Sequence, residues 1–136
     1  MRFLDVGVIL CVALKQPEEY FKRCVALLNR LKGPEPEEVM VTTFLTPSVL
    51  YFILDNREKV SRDKLTVAIK ALNSLNIKYL SLKDSYIEEA AVLAERYDID
   101  FDDAVNVVVM REEGIREIYA LDNDYEKIEW VTRVDP

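Results

Sequence analysis

The chain of 136 residues contains no histidine. That absence removes Ser-His-Asp and Cys-His nucleophilic catalysis, imidazole general acid–base work, and every zinc site that needs an imidazole ligand. Any chemistry must be run by carboxylates, hydroxyls, lysine, tyrosine or a hard metal ion. There are only two cysteines. Cys11 and Cys24 lie in apolar stretches at no metal-ligand spacing, and read as buried thiols acting as small hydrophobes. Three glycines leave no room for a Gly/Ser linker or a low-complexity tract. No apolar run approaches the ~20 residues of a membrane span. The apolar N-terminus is interrupted by Asp5 and shows no small-residue cleavage site, so it reads as a strand and helix rather than a signal peptide, and the expected compartment is the cytoplasm. Positive charge is in deficit too, with 18 Lys and Arg against 25 Asp and Glu and a net charge of −7. Such a balance opposes broad electrostatic attraction to nucleic acid, yet clustered acids loaded with a divalent ion present a locally positive surface.

What is present is the material of one domain spanning residues 1–136. Half the residues are hydrophobic and 32% are charged, a globular composition, and a chain of this length buries roughly two thirds of its unfolded surface. Short β-rich runs alternate with helical patterns, which predicts a parallel sheet wrapped by helices. Strands are expected at Met1–Val6, Val39–Thr42, Ile77–Leu82, Glu117–Leu121 and, at an edge, Trp130–Val134. A short helix follows the first strand through Ala13. A second opens at Pro17 with Glu18 and Glu19 in its first turn, turns Phe21, Cys24, Leu27, Leu28 and Leu31 inward, and is closed by Gly33. Thr46 and Pro47 read as the cap and first position of a helix carrying Val49, Leu50, Ile53 and Leu54. Ser61 caps the next, with Leu65, Ala68, Ile69, Leu72 and Leu75 inside. Asp84 or Ser85 caps a helix whose inner face is read as Ile87, Ala90, Ala91 and Ala94. Asp102 and Asp103 open the helix that Gly114 ends. Its Val105, Val108 and Val109 are poor isolated helix formers, so tertiary packing must hold it.

In parallel α/β sheets, ligands bind beyond the carboxyl ends of the strands. Asp5 ends the first predicted strand, Asp122 and Asp124 follow the fourth, and Asp103 enters the same edge at a helix start. Each alone reads equally as a turn former or helix cap; the joint placement on two separated strands and a helix start points further. Carboxylates gathered there would repel one another and raise their pKa values, which favours a bound divalent cation. Oxygen-only ligands select hard ions, hence Mg²⁺ or Mn²⁺, which can activate a water and offset phosphodiester charge without histidine.

The opening FLDVGVIL resembles the start of PIN domains, where a strand ends in Asp and leads into a short helix. The stretch DIDFDDAVNVVVMREEGIREIYALDNDYEKI is similar to that family's last third, with an Asp-Ala pair opening an apolar helix, then a glycine, a strand and Asp-x-Asp-aromatic. With VTTFLTPSVLYFIL between them, the likeness covers nearly the whole chain in order. It implies a PIN-like (Rossmann-like) α/β sandwich with a five-stranded parallel sheet. It also implies a Mg²⁺/Mn²⁺-dependent endoribonuclease of the VapC toxin type, acting on RNA, partnered by a small antitoxin-like protein and often homodimeric. By the same likeness Asp5, Asp103 and Asp122 would be the catalytic metal ligands, and Asp124 a ligand or its close support. Three positions depart from the family. Val6 and Gly7 stand where Thr-Asn is usual, removing side chains that would position Asp5. Ser48 stands where a Glu is usual, and Asp55 on the same helix face is about 10 Å further along. The alternative function is therefore a degenerate PIN domain that binds RNA or protein without cutting.

Arg57, Lys59, Arg62 and Lys64 form the one basic cluster, readable as a solvated surface with Glu58 and Asp63 interspersed or as an RNA-backbone contact. Tyr20, Tyr51 and Phe52 suit the core or a dimer surface better than base stacking. Other acidic-pocket folds fit less well. A phosphoryl-accepting receiver domain wants adjacent acids after its first strand, a haloacid-dehalogenase-like phosphatase wants Asp-x-Asp there, and an EF-hand needs a longer loop with a glycine.

Overall fold

In the computed structural model, which describes residues 1–136, five parallel strands form one sheet in the order β3-β2-β1-β4-β5. In chain order the elements are β1 (Arg2–Leu4), α1 (Val6–Leu14), α2 (Glu18–Arg30), β2 (Met40–Thr43), α3 (Leu45–Phe52), α4 (Arg62–Asn73), β3 (Ile77–Leu80), α5 (Tyr86–Tyr97), α6 (Phe101–Glu112), β4 (Glu117–Tyr119) and β5 (Thr132–Val134). A π-helical turn, Ile53–Arg57, extends α3, and a 3₁₀ turn, Asn123–Lys127, links β4 to β5. No helix is long and apolar enough to cross a membrane.

The layering follows from alternation along the strands. Phe3, Val41 and Ile118 face one core with α5 and α6, while Leu4, Met40, Ile77 and Tyr119 face a second core with α1 to α4. Both faces of the sheet are thus covered, as parallel sheets require. The valine-rich α6 is held by this packing, since every residue from Asp103 to Met110 is buried. Gly114 ends it in the left-handed region, φ +69°, where a Cβ would be strained. Cys11 and Cys24 are free and buried, and burial pushes the Cys24 thiol up to about 12.

The chain winds outward from β1 to β3, then returns to place β4 on the other side of β1. The strand order therefore reverses between β1 and β4, whose register pairs Leu4 with Tyr119. Such a switch point opens a crevice beyond the strand ends. Asp5 lies at the end of one of these strands and Asp122 shortly after the other.

Three local expectations are corrected. Thr46 does not cap α3, which starts at Leu45 with its amide donating to the Thr43 hydroxyl at 3.3 Å. Thr46 is instead buried, its hydroxyl 2.7 Å from that of Thr42, which donates to the Leu4 carbonyl at 3.0 Å. A buried hydroxyl needs a partner, and the sheet supplies a better one than the helix end. The inner face of α5 is Tyr86 and Ala90, with Leu93, Ala94 and Tyr97 against the same core, whereas Ile87 is 60% exposed and Ala91 is exposed too. Seating the larger Tyr86 ring turns the helix by one residue. Finally, α6 opens at Phe101, with Asp100 in the cap position and Asp102 and Asp103 in its first turn.

Candidate functional site

Asp5 is placed by backbone geometry before its side chain does anything. Its amide donates to the Tyr119 carbonyl at 3.0 Å, extending the β1–β4 ladder by one residue, and its extended backbone caps α1. The carboxylate accepts the Gly7 amide at 2.8 Å through Oδ2. A Cβ on Gly7 would stand 2.9 Å from that same oxygen, closer than real Cβ contacts, so glycine is what lets the carboxylate lie against the helix start. The hydrogen bonds expected from a Thr-Asn pair are thus supplied by the Gly7 amide and by a hydroxyl reached from elsewhere in the chain.

That hydroxyl belongs to Tyr125. It lies 2.9 Å from Oδ1 of Asp5 and 2.9 Å from Oδ1 of Asp103. Asp103 stands in the first turn of α6, where the helix dipole favours a negative charge. Beyond it, Asp122 caps the 3₁₀ turn by accepting the Asp124 amide at 2.8 Å, and Asp124 is met by the Lys127 ammonium at 2.8 Å. One carboxylate oxygen each from Asp103, Asp122 and Asp124 lie within 4.8 Å of one another, and a second triad, Asp100, Asp102 and Asp103, meets the same limit. Asp103 is common to both. Asp5 belongs to neither triad and is joined to Asp103 through the tyrosine.

The electrostatics follow from burial. Asp5 is 4% exposed and Asp103 is 7% exposed. Burial pushes the Asp5 carboxyl up to about 6, against the Gly7 and Tyr125 hydrogen bonds that favour its charged form. Asp103 is pushed up to about 8, first by burial and then by the nearby negative charge of Asp5. Burial between the two carboxyls drives the Tyr125 phenol well above its ordinary value. A phenol has one proton and can donate to only one of the two carboxylates at a time. Two contacts at 2.9 Å are therefore best satisfied when one carboxyl holds a proton, in keeping with the upward shift of Asp103.

This donor set fits a hard divalent ion. Every donor is a carboxylate oxygen. Oxygens sharing one Mg²⁺ at ~2.1 Å stand roughly 3–4 Å apart, so side-chain shifts of about 1–2 Å would close the Asp103, Asp122 and Asp124 set. A cation would also offset the burial and repulsion that raise Asp5 and Asp103.

The other expected site residues stand on α3 and around the turn into α4. Ser48 is exposed on α3, lining an open groove of about 740 Å³ with Phe44, Pro47, Tyr51 and Phe52, and none of the aspartates lines that groove. Asp55 is held by Arg62 at 4.0 Å. Arg57, Lys59, Arg62 and Lys64 are all exposed between the π-helical turn and the first turn of α4. Sequence reasoning missed Tyr125, taken only as the aromatic of Asp-x-Asp-aromatic, and Asn106, whose amide Nδ2 donates to the Tyr125 hydroxyl at 3.3 Å. The available signal for Asn106 was one amide in the middle of a valine run that must be buried.

Residues 2–131 match the PIN domain. No curated protein matches by sequence. Among solved structures, the chain is similar to Mycobacterium tuberculosis VapC20, a sarcin–ricin loop cleaving toxin, with a TM-score of 0.73 at 22% identity over 100% of both chains. It is also similar to VapBC2 from Rickettsia felis, solved on a DNA fragment of its promoter, with a TM-score of 0.67 at 11% identity over 98% of this chain and 97% of that one. PAE2754 from Pyrobaculum aerophilum gives a TM-score of 0.58 at 15% identity, covering 98% and 88%. At these identities the likeness is one of fold, and it agrees with the five-stranded parallel sheet in the order β3-β2-β1-β4-β5. With a family match over nearly its whole length, the chain belongs to the PIN domain family.

Proposed function

We propose that the chain is a Mg²⁺- or Mn²⁺-dependent endoribonuclease of the VapC toxin type, acting in the cytoplasm as one domain. The observation that supports this reading is the convergence of Asp103, Asp122 and Asp124 at the switch point of the sheet, their oxygens within 4.8 Å of one another, with the buried Asp5 alongside. In this reading Asp5, Asp103 and Asp122 hold the ion, with Asp124 as a further ligand or its close support, and together they orient the attacking water. When bound, a divalent ion supplies Lewis acidity toward a phosphodiester oxygen. Lys127, tied to Asp124 at 2.8 Å and to the Asp98 carbonyl at 2.9 Å, is the cation nearest the acidic set for a substrate phosphate. The test is single-turnover cleavage of a structured RNA with Mn²⁺ or with chelator alone. Cleavage that needs Mn²⁺ supports the reading, and equal cleavage in chelator overturns it.

Two partners follow. The groove of about 430 Å³ between α1, α2 and α4, lined mainly by apolar side chains including Ile9, Val12, Val25 and Leu72, suits the apolar face of a helix from a small antitoxin-like protein. Exposed Phe44 and Phe52 offer an apolar face to a second copy in a homodimer. The second reading, a PIN domain that binds RNA or protein without cutting, is favoured by Ser48 standing exposed on α3 in place of a fourth acidic element.

The contact at Gly7 yields a prediction within this reading. Gly7→Ala places a Cβ 2.9 Å from the Asp5 oxygen, too close for an ordinary contact, and so forces the carboxylate to turn. Mn²⁺ affinity, read by calorimetric titration, is expected to fall about tenfold or more. Stability should change by only about 1 kcal/mol, because alanine's better helix propensity offsets part of the lost hydrogen bond.

A further inference from the structure

Helix α6 buries every residue from Asp103 to Met110, and between Asp103 and Met110 the one polar side chain is Asn106. A buried amide is costly unless both of its ends are hydrogen-bonded. Asn106 is 5% exposed and only half satisfied. Its Nδ2 donates to the Tyr125 hydroxyl at 3.3 Å, and its Oδ1 has no partner. A hydrophobic residue would fill this place at lower cost, so the amide calls for an explanation beyond packing.

The explanation lies in what it does to the phenol. Tyr125 is 1% exposed, its ring within the core formed by α5, α6 and the sheet. A phenol oxygen has one proton to give and lone pairs to receive. The Asn106 amide fills one lone pair, so the hydroxyl proton is turned away from Asn106 and toward the carboxylates. There the oxygen stands 2.9 Å from both Asp5 and Asp103. These two acids come from opposite ends of the chain, and the hydroxyl is the shared contact that spans them. Their bridged oxygens can be no more than twice that contact distance apart.

We propose that Tyr125, oriented by Asn106, is a positioning residue that sets the separation and direction of the Asp5 and Asp103 carboxylates for one shared divalent cation. The proposal rests on the metal-dependent reading above. Hydrogen-bond partners behind metal ligands typically govern 10- to 100-fold of metal affinity, and a hydroxyl serving two ligands falls squarely in that class.

The test is Mn²⁺ titration by calorimetry on the full chain, comparing the parent, Tyr125→Phe and Asn106→Leu, with far-UV circular dichroism and the metal-free thermal midpoint measured alongside. Tyr125→Phe keeps the ring and removes the hydroxyl. It is expected to weaken Mn²⁺ binding by about 10-fold or more while the metal-free fold persists. Asn106→Leu keeps the phenol but removes the group that aims it, and is expected to weaken binding by about 3-fold or more. A merely structural role would move the midpoint and leave affinity unchanged. If the parent binds Mn²⁺ and Tyr125→Phe binds within about twofold of it, the positioning role is overturned and the metal-dependent reading stands. Should Tyr125→Phe fail to fold, Asn106→Leu decides in the same way. A parent that binds no Mn²⁺ overturns both.

Discussion

Asp103→Asn is expected to abolish Mn²⁺-dependent RNA cleavage while making the metal-free protein more stable at alkaline pH. The two effects have one cause. Asp103 belongs to both acidic triads, so replacing it removes a negative donor from either. The loss in cleavage should exceed the roughly 100-fold that follows loss of a supporting hydrogen bond alone. Yet Asp103 is 7% exposed, with its carboxyl pushed up to about 8 by burial and by Asp5. Ionising it in the folded protein therefore costs stability that a neutral amide of the same shape does not lose. At pH 8.5 the variant should gain on the order of 2–4 kcal/mol in chemical denaturation without metal. At pH 3, below the ~3.9 of an unfolded aspartate, the parent's carboxyl is protonated in both states and the difference should nearly vanish. A stability gain of the same size at both pH values, or a variant still cutting RNA with Mn²⁺, contradicts this assignment.

Heating the metal-free protein over a pH series is expected to show the same pair titrating together. The folded carboxyls of Asp5, about 6, and Asp103, about 8, lie above the ~3.9 of an unfolded aspartate. The folded state then holds its protons longer than the unfolded one. The associated stability is fully present below about pH 4 and is lost as pH rises through the two folded values. The thermal midpoint should fall by about 10 °C between pH 5 and pH 8.5, given ~1.4 kcal/mol per pKa unit and several degrees per kcal/mol in a chain of this size. Mn²⁺ should reverse the trend. Its ligands must be deprotonated, so the rise in midpoint that it produces grows over the same interval. With no histidine in the chain, no imidazole titration confuses the result. A midpoint flat from pH 5 to 8.5 would mean that the pair is not buried as described.

How much of this was legible in the sequence depends on the range of the contact involved. Asp5, Asp103 and Asp122 could be placed because strand ends and helix starts are local features, and a parallel sheet sends them to one edge. The strands themselves were visible as apolar runs, their ends drifting by a residue or two where pairing stops, as at Leu80 rather than Leu82. The face of α5 was not legible. Ile87 with Ala91 and Tyr86 with Ala90 are both apolar pairs at a spacing of four, and only the depth of the core chooses the second. Thr46-Pro47 has the form of a helix start, and nothing local distinguishes it from a threonine buried against Thr42. Tyr125 lay furthest out of reach. Its hydroxyl acts on Asp5 and Asp103, contacts set by the crossing from β1 to β4 rather than by any pattern along the chain.

The account's central claim is that residues far apart in sequence share one cation. The most direct measurement is the anomalous scattering of Mn²⁺ in a crystal of the unmodified protein grown at pH 9 or above, past the raised values of Asp5 and Asp103. The predicted result is a single dominant peak among the carboxylates of Asp103, Asp122 and Asp124, on the side facing Asp5. Peaks scattered over other acids, with nothing among these residues at saturating Mn²⁺, would contradict it.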